Sequence, residues 1–161
     1  PLIGYGEFDL ANSITEPELT QELIFLSDAL LTHELPHVLS GKARGAPQSI
    51  TKRTPSLSRR LTKVDGKLDW SKPAAQLERE IRAFISWPTS RTLLGSKEVT
   101  ITKAHVIDGQ GKQGTLNYDK NELSIQTSDG RLAIDMLKPA GKTEMTIAAF
   151  LAGYQKQLQT N

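Results

Sequence analysis

One stretch divides this chain into two textures that no single regular fold accommodates. Residues 68–88, LDWSKPAAQLEREIRAFISWP, read as a helix held between the two tryptophans of the chain, Trp70 and Trp87. Ala74, Leu77, Ile81 and Phe84 recur at helical spacing as one apolar stripe, and Glu78, Arg79, Glu80 and Arg82 fall mostly off it. Pro73 suits a first turn, where its missing N–H costs nothing, and Ser71 is the expected cap. Pro88 biases Trp87 out of helix and ends the run. The stretch is a border: the C-terminal side is β in texture and the N-terminal side is not.

After the border, short runs at residues 91–94, 97–107, 114–118, 122–127 and 131–138 are separated by turn chemistry at Gly95, Asp119-Lys120-Asn121 and Ser128-Asp129-Gly130. In the longest run Val99, Ile101, Lys103 and His105 alternate with Thr100, Thr102, Ala104 and Val106. Strands at this spacing specify a small barrel or sandwich. Residues 146–157 close the chain as an amphipathic helix built on Ile147, Phe150, Leu151 and Tyr154. Between strand and helix sits Pro139-Ala140-Gly141-Lys142, a loop with a cation at its tip.

Before the border, residues 2–10 alternate weakly, and Thr15 and Glu18 then have capping-box spacing, with Pro17 in the first turn. Leu19, Leu23, Leu26 and Leu30, widened by Ile24, Phe25 and Leu31, make a helical stripe that Pro36 is expected to kink or break. Burying a leucine is worth about 1.5–3 kcal/mol, so this stripe wants a partner surface: the C-terminal part, a second copy, or a domain beyond this sequence.

The net charge of +2 conceals a strong asymmetry. Residues 1–41 hold seven acids and no Lys or Arg; residues 42–67 hold eight bases and one acid; residues 68–161 hold twelve bases and ten acids. The middle segment has no sustained period and carries Gly45, Pro47, Pro55 and Gly66, so it reads as an extended basic connector that meets a polyanion. Its candidate contacts are Lys52, Arg53, Arg59, Arg60, Lys63 and Lys67, with Lys142 from the barrel, and Lys103, Lys112 and Lys138 as extensions. Few aromatics are available outside the core, which favours contact with phosphates over reading of bases.

Other chemistries are weakly supported. With no cysteine, neither a disulfide framework nor a thiolate metal site is available, which fits a reducing compartment. No apolar run approaches a membrane span and no signal-peptide pattern opens the chain. His33-Glu34-Leu35-Pro36-His37 matches the zinc-protease motif literally, but Pro36 is expected to spoil the helical spacing of the two imidazoles, and no metal is expected. Gly109-Gln110-Gly111-Lys112-Gln113-Gly114 matches the dinucleotide fingerprint, yet the next element is a strand rather than a helix, so it reads as a hairpin loop. No catalytic triad is recoverable.

The border helix, Ala104-His105-Val106-Ile107, Gly114-Thr115-Leu116, Asp129-Gly130-Arg131-Leu132 and Leu137 to Lys142 with Met145 beyond it resemble, in order, the C-terminal domain of methionyl-tRNA formyltransferase. Residues 15–39 are similar to the last helix of the same family's formyl-transfer domain. The resemblance implies a mainly β fold: an OB-like β-barrel with flanking helices, preceded by a basic linker and a helix left over from a truncated Rossmann-like domain. It implies three segments: residues 1–41 from the catalytic domain, 42–67 as linker, 68–161 as the barrel. It further implies that the parent transfers a formyl group from 10-formyltetrahydrofolate to methionyl initiator tRNA, in the bacterial cytoplasm or an organelle. The family's catalytic Asn, His and Asp map to no position here, so the catalytic set of this chain is expected to be none and the fragment inactive alone. Pro1 stands where a longer chain is expected to continue upstream. Lys63 and Lys142 are the closest carry-overs to the family's tRNA-holding channel. Self-association through the exposed helix at residues 15–35 is expected. The alternative is a structural module of a related formyltransferase acting on a sugar nucleotide, or of a formyltetrahydrofolate hydrolase or dehydrogenase.

Overall fold

The computed structural model describes residues 2–47 and 56–158, apart from the side chain of residue 157. The chain divides into two compact units, Pro1–Arg60 and Leu61–Asn161.

In the first unit, α1 (Glu16–Leu39) starts at Thr15, whose N–H and hydroxyl both donate to the Glu18 carboxylate, at 2.8 and 2.7 Å. Those two donors hold the Glu18 carboxyl below its ordinary value of 4.5, the backbone N–H contributing most. Contrary to expectation, Pro36 does not end the helix. A proline loses its own N–H bond but still offers a carbonyl, and Ser40 N–H donates to Pro36 O at 3.0 Å. Leu2 and Ala46 exchange antiparallel backbone bonds, and the extended segment between Leu2 and α1 lies along the helix. A Cβ on Gly4 would stand 2.9 Å from Leu30, and one on Gly6 2.7 Å from Leu26. No residue of α1 is buried, and Leu23, Ile24, Phe25 and Leu31 stay exposed.

The second unit contains α2 (Ala74–Ala83), β1 (Ser90–Leu94), β2 (Lys97–Ile107), β3 (Leu116–Tyr118), β4 (Leu123–Gln126), β5 (Arg131–Pro139), β6 (Met145–Thr146) and α3 (Ile147–Leu158). The strands form one curled antiparallel sheet in the order β1-β2-β5-β4-β3, with β6 also on β5. Among the described residues β1 and β3 are the end strands and do not pair with each other, so the sheet is a half-barrel. Its concave face is filled by Val99, Ile101, Leu123, Ile125, Leu132, Ile134 and Leu137, against Leu77 and Ile81 of α2 and Phe150 and Leu151 of α3.

Three local expectations are corrected. Ser71 does not cap α2; its N–H and hydroxyl donate to Asp69 at 3.0 and 2.7 Å, and the hydroxyl bond first, then the amide, holds the Asp69 carboxyl below its ordinary value. Strict alternation along β2 would put Lys103 and His105 on the core face with Val99 and Ile101. Register shifts between Ile101 and Ala104 instead bring Ala104 against the core and turn Lys103 and His105 to solvent. The glycine-rich run at residues 109–114 is not a hairpin, because β3 pairs with β4 rather than β2. It is a crossover: Arg131 Nε and Nη2 donate to Asp108 O at 3.2 and 3.0 Å, and Gln126 Nε2 donates to the carbonyls of Gly109, Thr127 and Gly130.

Candidate nucleic-acid interface

The end of the basic segment belongs to the second unit and is folded rather than extended. Lys63–Gly66 forms one 3-10 turn, capped where Thr62 N–H and hydroxyl donate to Asp65 at 2.6 and 2.9 Å. Lys67 then forms a parallel bridge with Arg91 on the edge of β1, and Leu68 N–H donates to Arg91 O at 2.9 Å. The Arg91 guanidinium reaches back, giving Nη2 to Lys63 O at 2.6 Å and placing Nη1 3.9 Å from Glu98. Two lysines of the connector and an arginine of the sheet are thereby fixed side by side.

These residues rim a groove of about 740 Å³, lined by Lys63, Val64, Lys67, Leu68, Trp70, Arg91, Thr92, Leu93 and Glu98. A second hollow of about 520 Å³ shares Val64, Lys67, Leu68 and Trp70 and continues to Ser71, Gln113 and Gly114. A third, about 260 Å³, lies where the half-barrel stays open, with Trp70, Leu93 and Leu116 on its wall. Half-buried Trp70 borders all three.

The cations continue across the sheet. Register pairs Arg91 with Thr100 and Thr100 with Lys138, so these three side chains stand in one row on the outer face. Strands lie about 4.8 Å apart, which puts the two cations roughly 10 Å apart, near one Debye length at ordinary salt. The turn carrying Lys142 is closed by Lys142 N–H to Pro139 O at 3.0 Å and has Gly141 at φ +74°. Ala140 N–H donates to Glu98 O at 3.0 Å, which ties that turn to the start of β2.

Of the sequence-predicted contacts, Lys63 and Lys67 share the groove, and exposed Lys142 stands on its turn in the same unit. Arg59 and Arg60 are exposed in the first unit, with Arg59 Nη1 donating to Arg60 O at 3.2 Å. Lys52 and Arg53 lie outside the described residues. Sequence reasoning missed Arg91 and the part Trp70 takes. A lone arginine in a short strand after the border helix was the available signal, and only the Lys67 bridge gives it meaning.

Other candidate centres are thinner. Because α1 runs through Pro36, the His33 and His37 rings are neighbours, with centroids 5.7 Å apart. Among the described residues no group of three or more metal-ligating side chains gathers there or elsewhere. His105 Nδ1 lies 2.9 and 3.1 Å from the two oxygens of Asp135, an exposed cross-strand pair. No helix of the described residues is long and apolar enough to cross a membrane.

The family described as formyl transferase, C-terminal domain, matches residues 60–155. Over 141 residues the chain is 34% identical to a protein named methionyl-tRNA formyltransferase from Streptococcus pneumoniae (strain Hungary19A-6), covering 87% of this chain and 45% of that protein. It is 34% identical over 139 residues to the protein of the same name from Streptococcus equi subsp. equi (strain 4047), covering 86% and 44%. The chain thus spans less than half the length of these curated relatives. Among solved structures, a variant of HypX from Aquifex aeolicus shares the fold at a TM-score of 0.65 and 18% identity, covering 92% of this chain and 28% of that one. HypX from Aquifex aeolicus in complex with tetrahydrofolic acid matches at 0.54 and 20% identity, covering 80% and 22%.

Proposed function

The chain belongs to the formyl transferase C-terminal domain family, and from that premise we propose that it is the tRNA-binding part of a methionyl-tRNA formyltransferase. In this reading the longer enzyme transfers the formyl group of 10-formyltetrahydrofolate to the amino group of methionyl initiator tRNA during translation initiation, in the cytoplasm. Residues 1–41 close the catalytic domain, residues 42–67 link, and residues 68–161 form the OB-like tRNA-holding domain. The chain supplies no catalytic residue and is inactive by itself. The observation that carries the reading is the joining of Lys63 and Lys67 to Arg91 on one groove, with Lys138 in register behind them. Lys142 adds a cation at the same end of the sheet, and Lys52, Arg53, Arg59 and Arg60 add charge along the linker.

The test is binding of initiator tRNA to the full chain across a salt series. Each phosphate contact contributes roughly −0.7 to −0.9 to the log–log slope, so four to five contacts give a slope of about −2.8 to −4.5. A flat dependence sinks the reading. A second reading, open to any member of the family, makes the domain a structural support in a different formyltransferase. A parent that formylates an amino sugar and ignores charged tRNA would favour it. Alone, the chain associates through the apolar face of α1, where Phe25 is 68% exposed. Sedimentation should show a dimer that Phe25→Glu converts to monomer, and a monomeric wild-type chain refutes this part.

A further inference from the structure

The groove beside Trp70 has a lining that phosphate contact alone does not explain. Val64, Leu68, Trp70 and Leu93 give it apolar walls, and Val64 and Leu93 are 78% and 66% exposed. Lys63, Lys67 and Arg91 stand on one rim. Arg91 gives Nη2 to Lys63 O at 2.6 Å and holds Nη1 3.9 Å from Glu98, so it braces the rim and the carboxylate while the two lysines face the groove. Glu98, its side chain 58% exposed, is the single carboxylate of the lining. A volume near 740 Å³ lies in the usual range of small-ligand sites, about 300–1,000 Å³.

Resting on the reading that the chain binds tRNA, we infer that this groove receives one unpaired nucleotide of the RNA, a guanosine, with its base against Trp70, its Watson–Crick edge toward Glu98 and its phosphate toward Lys63 and Lys67. A base inside a duplex hides its faces in the stack, whereas an unpaired base offers a flat apolar face, a hydrogen-bonding edge and a phosphate together. The lining supplies a counterpart for each. A carboxylate only accepts hydrogen bonds, so the edge it meets must donate. Guanine presents two adjacent donors, an N–H and an amino group, and matches both carboxylate oxygens; uracil presents one. An acidic peptide side chain satisfies the lysines but offers Glu98 no pair of adjacent donors.

The test uses the full chain carrying Trp87→Phe, which leaves Trp70 as the only tryptophan; Trp87 is half-exposed and outside the groove. Tryptophan fluorescence is titrated with uridine hexaribonucleotides, with and without one central guanosine, with poly-glutamate, and in parallel with initiator tRNA across salt. The guanosine-bearing hexamer should quench at concentrations about 5- to 150-fold lower than the all-uridine hexamer. Glu98→Gln should shrink that preference to about twofold. Trp70→Leu should weaken binding of a labelled guanosine hexamer about 5- to 150-fold. If Trp70→Leu fails to fold, Glu98→Gln at an exposed side chain still decides. Salt-dependent tRNA binding with Trp70 unquenched, or quenching without guanosine preference, overturns the inference and leaves the proposed function standing. Loss of both tRNA and hexamer binding overturns both. Quenching by poly-glutamate in place of the hexamers identifies an acidic peptide as the occupant and overturns the inference.

Discussion

Gly66 lies so close to the carbonyl oxygen of Thr89 that a Cβ built on it would stand 2.1 Å away. Thr89 itself holds φ at +67°, a left-handed conformation that a β-branched residue rarely takes, and its N–H donates to Phe84 O at 3.0 Å. The close approach sets the next residue, Lys67, in register with Arg91. The cationic rim thus depends on a missing side chain.

Gly66→Ala should therefore cost about 2–4 kcal/mol and lower Tm by roughly 10 °C or more, since backbone rather than a flexible side chain must yield. Gly153 in α3 gives the contrast: nothing lies within 4 Å of its Cβ position. Gly153→Ala should stabilise by about 0.5–1 kcal/mol through helix propensity. Paired thermal melts check both. Equal melting temperatures for the two variants would refute the close contact.

Charge removal separates the groove from the rest of the surface. Lys63→Gln, Lys67→Gln and Lys138→Gln should each reduce the salt slope of tRNA binding by about 0.7–0.9, with Tm little changed. Lys103 faces solvent but lies outside the Arg91–Thr100–Lys138 row. Lys103→Gln should move the slope by less. Uniform losses at all four positions would mean a diffuse charge effect.

The border helix and five of the six strands were legible because their periods are local, with Leu77 and Ile81 pointing into the core as their spacing implies; two-residue β6, Met145–Thr146, is too short to show a period. The connector's charge was legible for the same reason. The hidden features were set by contacts distant in sequence. The register shift in β2 depends on what β5 offers across the ladder, so it leaves no trace in the alternation of residues 99–106. Arg91 gains a role only when Lys67 bridges to it, 24 positions away. The break expected at Pro36 does not occur: a proline's missing N–H falls on the carbonyl four residues earlier, that of exposed Thr32, and α1 continues to Leu39.

The Glu18 carboxyl should titrate below 4.5, because Thr15 N–H and hydroxyl bind its charged form. With the folded value depressed, the cap contributes fully above the unfolded value and is lost as pH falls through the folded one. The Thr15 amide proton shift, monitored by NMR on acidification, should report this step. Glu18→Gln keeps the hydrogen-bonding shape and removes the titration, so the step should vanish. A midpoint at or above 4.5 would contradict the capping geometry.

The glycine-rich crossover offers a double-mutant test. A Cβ on Gly109 would stand 2.1 Å from Arg131 Nε and 2.8 Å from its Cδ. Gly109→Ala should push the Arg131 side chain out and break its bonds to Asp108 O, at a cost of about 1–3 kcal/mol. Arg131→Ala removes both the bonds and the obstacle. If the obstacle is that side chain, the double variant should be no less stable than Arg131→Ala alone, within about 0.5 kcal/mol, and the cycle should show a coupling of about 1–3 kcal/mol. Neither variant should alter binding of any dinucleotide, since Gly109 makes room for the Arg131 side chain rather than for a phosphate. Additive losses in denaturant unfolding would place the strain of Gly109→Ala in the backbone, and the crossover would then owe its glycine to conformation instead of to Arg131.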